Sequence, residues 1–319
     1  MGKKNNFIMV FAFNTLKKVA GEEVARRDLL AIRTDIQKDA GREKATLREL
    51  FSPALKTVLV IGVVLAVLQQ ITGINSVFFY APMIFEQSGL GVDAAFTQAI
   101  YVGLTNLVFT LIAMALIDRL GRKFLLIVGV TGIAASMFVL AWGFNAATYT
   151  ITDKLVSDLP AAINTEQLAP IYKVEYQSDV AFKDALQSTL GAEVAKQFES
   201  EILPGAIKLN SALILIAILA FVASFAVSLG PVMWVLFSEL FPNRMRAVAV
   251  AFVGFINSVV SFLVQLVFPW ELSSLGSAPT FFIYGMFAAI GLAFIVFKVP
   301  ETKGKSLEDL QKMLIRKVI

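Results

Sequence analysis

The sequence predicts an all-α polytopic membrane protein: six membrane-spanning helices, a soluble segment before them and a soluble insert between the third and fourth. Three observations carry this. Apolar residues make up 57% of the 319-residue chain and the mean hydropathy is +0.73, far above the soluble range. Six apolar runs reach the ~20 residues a bilayer crossing needs. If those runs alternate in direction, 23 of the 28 Lys and Arg residues fall on one side, which the positive-inside rule makes the cytoplasm.

Residues 1–53 carry eleven basic residues. The opening MGKKNNF does not lead into a signal peptide, because FIMVFAF is short and lacks a small-residue cleavage site. Residues 14–50 read as cytoplasmic amphipathic helices, with Val24, Leu29, Ile32 and Ile36 at helical spacing. They either pack on the membrane domain or form a lipid- or calmodulin-binding stretch; the mixed charges favour the first. The spans follow at 54–84, 96–117, 124–143, 210–237, 247–269 and 280–298. The links 118–123 and 239–246 and the tail from 298 are basic, whereas 85–95 and 270–279 hold no Lys or Arg. The chain thus divides into a cytoplasmic segment (1–53), three spans (54–143), an outer insert (144–209), three more spans (210–298) and a cytoplasmic tail (299–319). It is expected in the cell membrane, the inner one in a bacterium, with both termini cytoplasmic.

The insert is too long for a simple link. Leu186, Leu190, Val194 and Phe198 recur every fourth residue, one stripe of a helix. Nine acids against five lysines make the insert acidic. A helical cap on the outer mouth and a partner-binding module both fit.

Several chemistries are excluded. The chain has neither Cys nor His, so disulfides, thiol chemistry and His-ligated metals are unavailable. No nucleophile is paired with a base, so no catalytic residues are expected and an enzyme is disfavoured. No cofactor, metal or nucleic-acid partner is implied. No ionisable side chain lies deep in a span, where it would cost about 2.5–3.5 kcal/mol.

The spans do carry uncharged polar groups. LQQITGINSVFFY (68–80) sets Gln69, Gln70 and Asn75 in an apolar run, with Gly73 loosening the helix between them. The second span has Thr105 and Asn106, the fourth has Gly230 and Pro231 followed by Trp234, and the fifth has Asn257 and Ser258. A bare amide in hydrocarbon is costly, so these groups face protein or a wet cavity. Two readings stand: helix glue, or a site at broken helices in mid-membrane. Amides offering both donor and acceptor, beside a flat indole, suit a neutral polyhydroxy molecule.

Four motifs bear a family resemblance. QQITGINSVFFYAP resembles the seventh-helix signature of the sugar porters in the major facilitator superfamily. DRLGRK (118–123) resembles their eighth-to-ninth-helix loop, GPVMWVLFSELFPNRMR (230–246) their tenth helix and following loop, and PETKGKSLEDL (300–310) their tail. The resemblance excludes 145–207. It implies the C-terminal six-helix half of a twelve-helix fold of xylose/glucose-type transporter. It also implies that Gln69, Gln70, Asn75, Asn106 and Trp234 contact a pentose or hexose, with Gly230 and Asn257 adjoining. Tyr80 is the remaining member of a usual tyrosine pair whose first position is Phe79, and Ser258 stands where an aromatic is common.

Asp118, Arg122, Glu239 and Arg246 lie at the inner helix ends. They are expected either to form an ion-pair network that opens and closes the inward gate by alternating access or to be ordinary interfacial charge worth under about 1 kcal/mol per pair. The resemblance implies the first and adds Glu301 of the tail to the network. The expected partners are a monosaccharide, the bilayer and an N-terminal six-helix half, encoded upstream or as a separate chain. The competing readings are a sugar-sensing receptor of the same fold and a non-transporting fragment or adaptor.

Overall fold

The computed structural model describes residues 45–87, 92–160 and 163–305, with a few positions between 13 and 26. The amphipathic stripe expected around Leu29, Ile32 and Ile36, and the tail beyond 305, lie outside the described residues.

The membrane part is all-helical. A short turn, α1 (Leu47–Leu50), leads into α2 (Lys56–Ile71) and α3 (Ile74–Gln87), then α4 (Val92–Leu120) and α5 (Arg122–Asn145). After the insert come α10 (Ser211–Val227), α11 (Pro231–Leu240), α12 (Asn243–Ser274) and α13 (Ser277–Lys298). Pairs α2–α3 and α10–α11 each make one interrupted span, so six helices are long and apolar enough to cross a membrane. The helices outrun the apolar stretches that announced them. The fifth span, expected at 247–269, is helical over 243–274. At ~1.5 Å per residue that is ~48 Å, so its ends reach past a ~30 Å hydrocarbon layer. Backbone hydrogen bonding continues where side-chain hydrophobicity stops.

Both interruptions have a local cause. After α2 the chain takes φ +83° at Gly73, a conformation costing ~1–2 kcal/mol for a residue with a Cβ. A Cβ there would also lie 2.5 Å from the Tyr284 ring of α13. Between α10 and α11 the helix fails at Ser228–Gly230, and Pro231 contributes no N–H.

One apolar core runs through the bundle, including Leu65, Ile133, Phe221, Phe237, Phe268 and Phe281. Phe144 of α5 stacks on Phe281 of α13 with ring centroids 5.5 Å apart. Helices α4 and α12 are different. Only 17% of each apolar window is buried, and Leu104, Leu107, Leu111, Phe255, Phe262 and Leu266 are exposed.

The insert departs from the expectation of a purely helical cap. It contains a small antiparallel sheet, order β2-β1-β3, formed by β1 (Thr148–Thr150), β2 (Glu175–Tyr176) and β3 (Ile207–Lys208). Around it lie α6 (Asp153–Asp158), a 3-10 turn (Thr165–Ile171), α7 (Asp179–Leu190), α8 (Ala192–Gln197) and α9 (Glu199–Ala206). Strands of two or three residues leave no alternating pattern to read. The single predicted stripe is cut at Gly191, φ +81°: Leu186 and Leu190 belong to α7, Val194 to α8, and Phe198 lies beyond it. All four still face the insert's own core, around Phe182 and Ile202. Asp179, itself buried, ties the insert to the bundle. Its carboxylate accepts hydrogen bonds from the N–H (2.9 Å) and hydroxyl (3.1 Å) of Ser277, at the start of α13.

Candidate substrate site and charged network

The two helix breaks are joined by one hydrogen-bonded amide cluster. Gln69 and Gln70 end α2, just before the Gly73 break. Gln69 Nε2 donates to the Leu229 carbonyl at 2.8 Å, reaching the backbone of the other break. Asn257, at mid-length on α12, donates Nδ2 to Gln69 Oε1 (2.7 Å) and to the Ala66 carbonyl (3.0 Å). Gln70 Nε2 donates to Asn257 Oδ1 (3.0 Å), and Asn75, in the first turn of α3, donates to Gln70 Oε1 (2.7 Å). Gln69, Gln70 and Asn257 are 5%, 6% and 8% exposed, which is tolerable in an apolar bundle only because their polar atoms are partnered.

The cluster continues through residues that the sequence did not single out. Asn75 Nδ2 also donates to Ser261 Oγ (2.8 Å), and Gln265 Nε2 donates to the same oxygen (2.9 Å). Asn257, Ser261 and Gln265 follow at intervals of four on α12, one face of a helix. Further along, the Tyr284 hydroxyl donates to Glu271 at 2.8 Å. A polar residue every fourth position on the fifth span was the available signal.

Not every expected site residue joins. Gly230 caps α11 beside Leu229. Trp234 is 42% exposed and stands edge-on to Phe237. Its ring reaches α12, 3.8 Å from where a Cβ on Gly254 would sit. Thr105 and Asn106 are half-buried on α4, and among the described residues no hydrogen bond links either to the cluster. Ser258 bonds back to the Gly254 carbonyl. Tyr80 lies on α3, and its side chain is outside the described residues. Among the described residues no three acidic side chains gather as a metal site would require.

At the opposite end from the insert lies a charged network. Arg122, 12% exposed, bridges Asp118 (2.9 Å) and Glu239 (2.7 Å). Thr302 donates its hydroxyl to Glu239 at 2.6 Å. Glu301 joins through backbone: it accepts the N–H groups of Arg122, Lys123, Thr302 and Lys303 at 2.9–3.1 Å. Burial alone would raise its pKa, but those four donors outweigh burial and hold the carboxyl below its usual range. The carboxylate sits on the N-terminus of α5, where exposed N–H groups favour an anion. It fits because position 121 is glycine: a Cβ there would lie 2.6 Å from Glu301 Oε2. Asp118, Arg122 and Glu239 line a cavity of about 390 Å³.

Arg246 does not join this network, contrary to the expected grouping. It lies on α12, past the turn at Phe241–Pro242, while the other members come from α4, α5, α11 and the tail. Its Nε is buried and has no hydrogen-bond partner among the described residues.

Comparison with known proteins places these features. A family model described as "Sugar (and other) transporter" matches residues 10–159 and 188–314. The arabinose-proton symporter of Bacillus subtilis is 28% identical over 305 residues, covering 96% of this chain and 52% of that protein. The D-xylose-proton symporter of Escherichia coli K12 is 30% identical over 304 residues, covering 93% and 48%. Among solved structures, the major facilitator superfamily proton:xylose symporter XylE bound to 6-bromo-6-deoxy-D-glucose matches with a TM-score of 0.61 at 28% identity, covering 95% of this chain and 51% of that one. The inward-open xylose transporter XylE from E. coli matches at 0.57 and 28%, covering 93% and 48%. The chain spans about half the length of the curated relatives it matches.

Proposed function

The chain belongs to the sugar transporter family of the major facilitator superfamily, and on that footing we propose that it supplies the C-terminal half of a carrier for a neutral monosaccharide. The observation that carries this reading is the amide cluster linking the two helix breaks. Its donors and acceptors are uncharged, and a polyol can exchange hydrogen bonds with them for about 0.5–1.5 kcal/mol each. Distributed weak bonds let a solute bind and leave. Relatives named for xylose and arabinose support the pentose class, and the similar structure bound to a glucose derivative supports hexoses.

The exposed apolar faces of α4 and α12 suit a second six-helix half, with the sugar between the halves. Trp234 and Asn106 face substrate across that cleft, Tyr80 lies further along α3, and Gly230 leaves room beside them. Both termini lie in the cytoplasm and the insert outside. The Asp118–Arg122–Glu239–Glu301 network then latches the inner ends of α4, α5 and α11 to the tail in one state and parts in the other. The buried Nε of Arg246 awaits an acceptor from the completing half.

The test is sugar binding and uptake by the twelve-helix protein carrying Gln70→Ala, Asn75→Ala or Trp234→Ala. Each variant should bind sugar about tenfold or more weakly while keeping its melting temperature within a few degrees. Equal loss of folding in all three would make the array structural and refute the reading.

A further inference from the structure

We infer that Gln265 determines sugar specificity, contacting a hydroxyl on the side of the ring turned toward the insert. This rests on the proposed function, since it refines the same site.

The argument comes from counting the hydrogen-bonding capacity already spent. Asn257 uses both amide hydrogens, on the Ala66 carbonyl and Gln69 Oε1, and its oxygen accepts from Gln70. Gln69 Oε1 accepts from Asn257 and from Gln70, and Gln70 Oε1 accepts from Asn75. The mid-membrane part of the array is committed mostly to itself and to backbone. Its far end is not. Ser261 Oγ accepts from both Asn75 and Gln265, so its own hydrogen is left to donate. Asn75 Oδ1 and Gln265 Oε1 accept nothing among the described residues. Two acceptors and one donor therefore meet where α3 faces α12. That set matches the hydroxyls of a polyol, each of which gives one hydrogen and takes another.

Gln265 is also the last amide of the stripe. It lies eight residues beyond Asn257, ~12 Å along the helix. Past it come buried Phe268, stacked on Tyr284, and Glu271, already taken by the Tyr284 hydroxyl. Gln265 is half-buried and so remains within reach of a bound molecule. A site that hydrogen-bonds one hydroxyl rejects the analogue lacking it far better than a greasy pocket could.

The experiment measures equilibrium binding to the twelve-helix protein in proteoliposomes. The probes are whichever of D-xylose, L-arabinose and D-glucose binds the unmutated protein tightest, and each of its monodeoxy derivatives. Unmutated protein should bind one derivative about tenfold more weakly than the parent sugar. Gln265→Leu should lose about tenfold for the parent yet bind that derivative as the unmutated protein does. Gln265→Glu, which keeps an acceptor, should retain the discrimination, and Gln265→Asn, one methylene shorter, should lose it even if the leucine variant fails to fold. A uniform loss across all derivatives, or no change, overturns the role of Gln265 and leaves the sugar site standing. Absence of binding by the unmutated protein to all three sugars overturns the proposed function and this inference together.

Discussion

Arg122 offers the most direct test of the charged network. Its guanidinium is largely buried, and it holds Glu239 with Nε at 3.0 Å and Nη2 at 2.7 Å while also reaching Asp118. Removing one partner of a fully buried pair costs about 3–5 kcal/mol. Glu239 keeps 24% of its side chain exposed, and Asp118 is almost fully solvated, so solvent screening reduces this to about 1–3 kcal/mol. If the network exists in one conformational state and is broken in the other, that energy shifts their ratio by about five- to 150-fold at 1.4 kcal/mol per tenfold. The chain has no cysteine, so one introduced thiol is the single one it carries, and labelling is read against the same protein without it. Thr302→Cys sits at a buried position on the network. Maleimide labelling of that thiol in membranes should be at least fivefold faster once Arg122→Ala is added, and Arg122→Lys should fall between. An unchanged rate in Arg122→Ala would refute the latch and reduce the ion pairs to ordinary interfacial charge.

Two further outcomes follow from the geometry. Gly73→Ala should lower the detergent melting temperature by several degrees, since the left-handed φ costs ~1–2 kcal/mol and the new methyl meets the Tyr284 ring; adding Tyr284→Ala should relieve the clash but not the φ strain, so the two changes combine less than additively. Glu301 is held below its usual range, so its stabilisation is fully present above the ordinary value of 4.5 and is lost as pH falls through the lower folded value. The melting-temperature advantage of unmutated protein over Glu301→Gln should therefore be constant near neutrality and shrink only below about pH 4.5.

The spans and both helix breaks were legible because bilayer thickness, the left-handed φ open to Gly73 and the missing N–H of Pro231 act locally. So were Gln69, Gln70, Asn75 and Asn257, because an amide in hydrocarbon demands a reason wherever it lands. Ser261 and Gln265 were not singled out, although with Asn257 they mark one polar face of the fifth span at intervals of four; that this face meets Asn75 of α3 is tertiary. Arg246 was grouped with its neighbours by sequence and motif, but it stands on α12, past the Phe241–Pro242 turn, and its Nε has no hydrogen-bond partner among the described residues. Glu301 acts on an α5 terminus nearly 180 residues away, through backbone groups that look alike in every sequence. The sheet of the insert rests on strands too short to show a period.

The grip of Asp179 on Ser277 has a mechanical consequence. A carboxylate from the soluble insert closes the first turn of the last membrane helix, so α13 cannot tilt without carrying that domain along or surrendering two hydrogen bonds. The insert is thereby coupled to α13 as well as to α5 and α10, the helices it is spliced between, and a binder gripping the domain from solution would act directly on the start of α13.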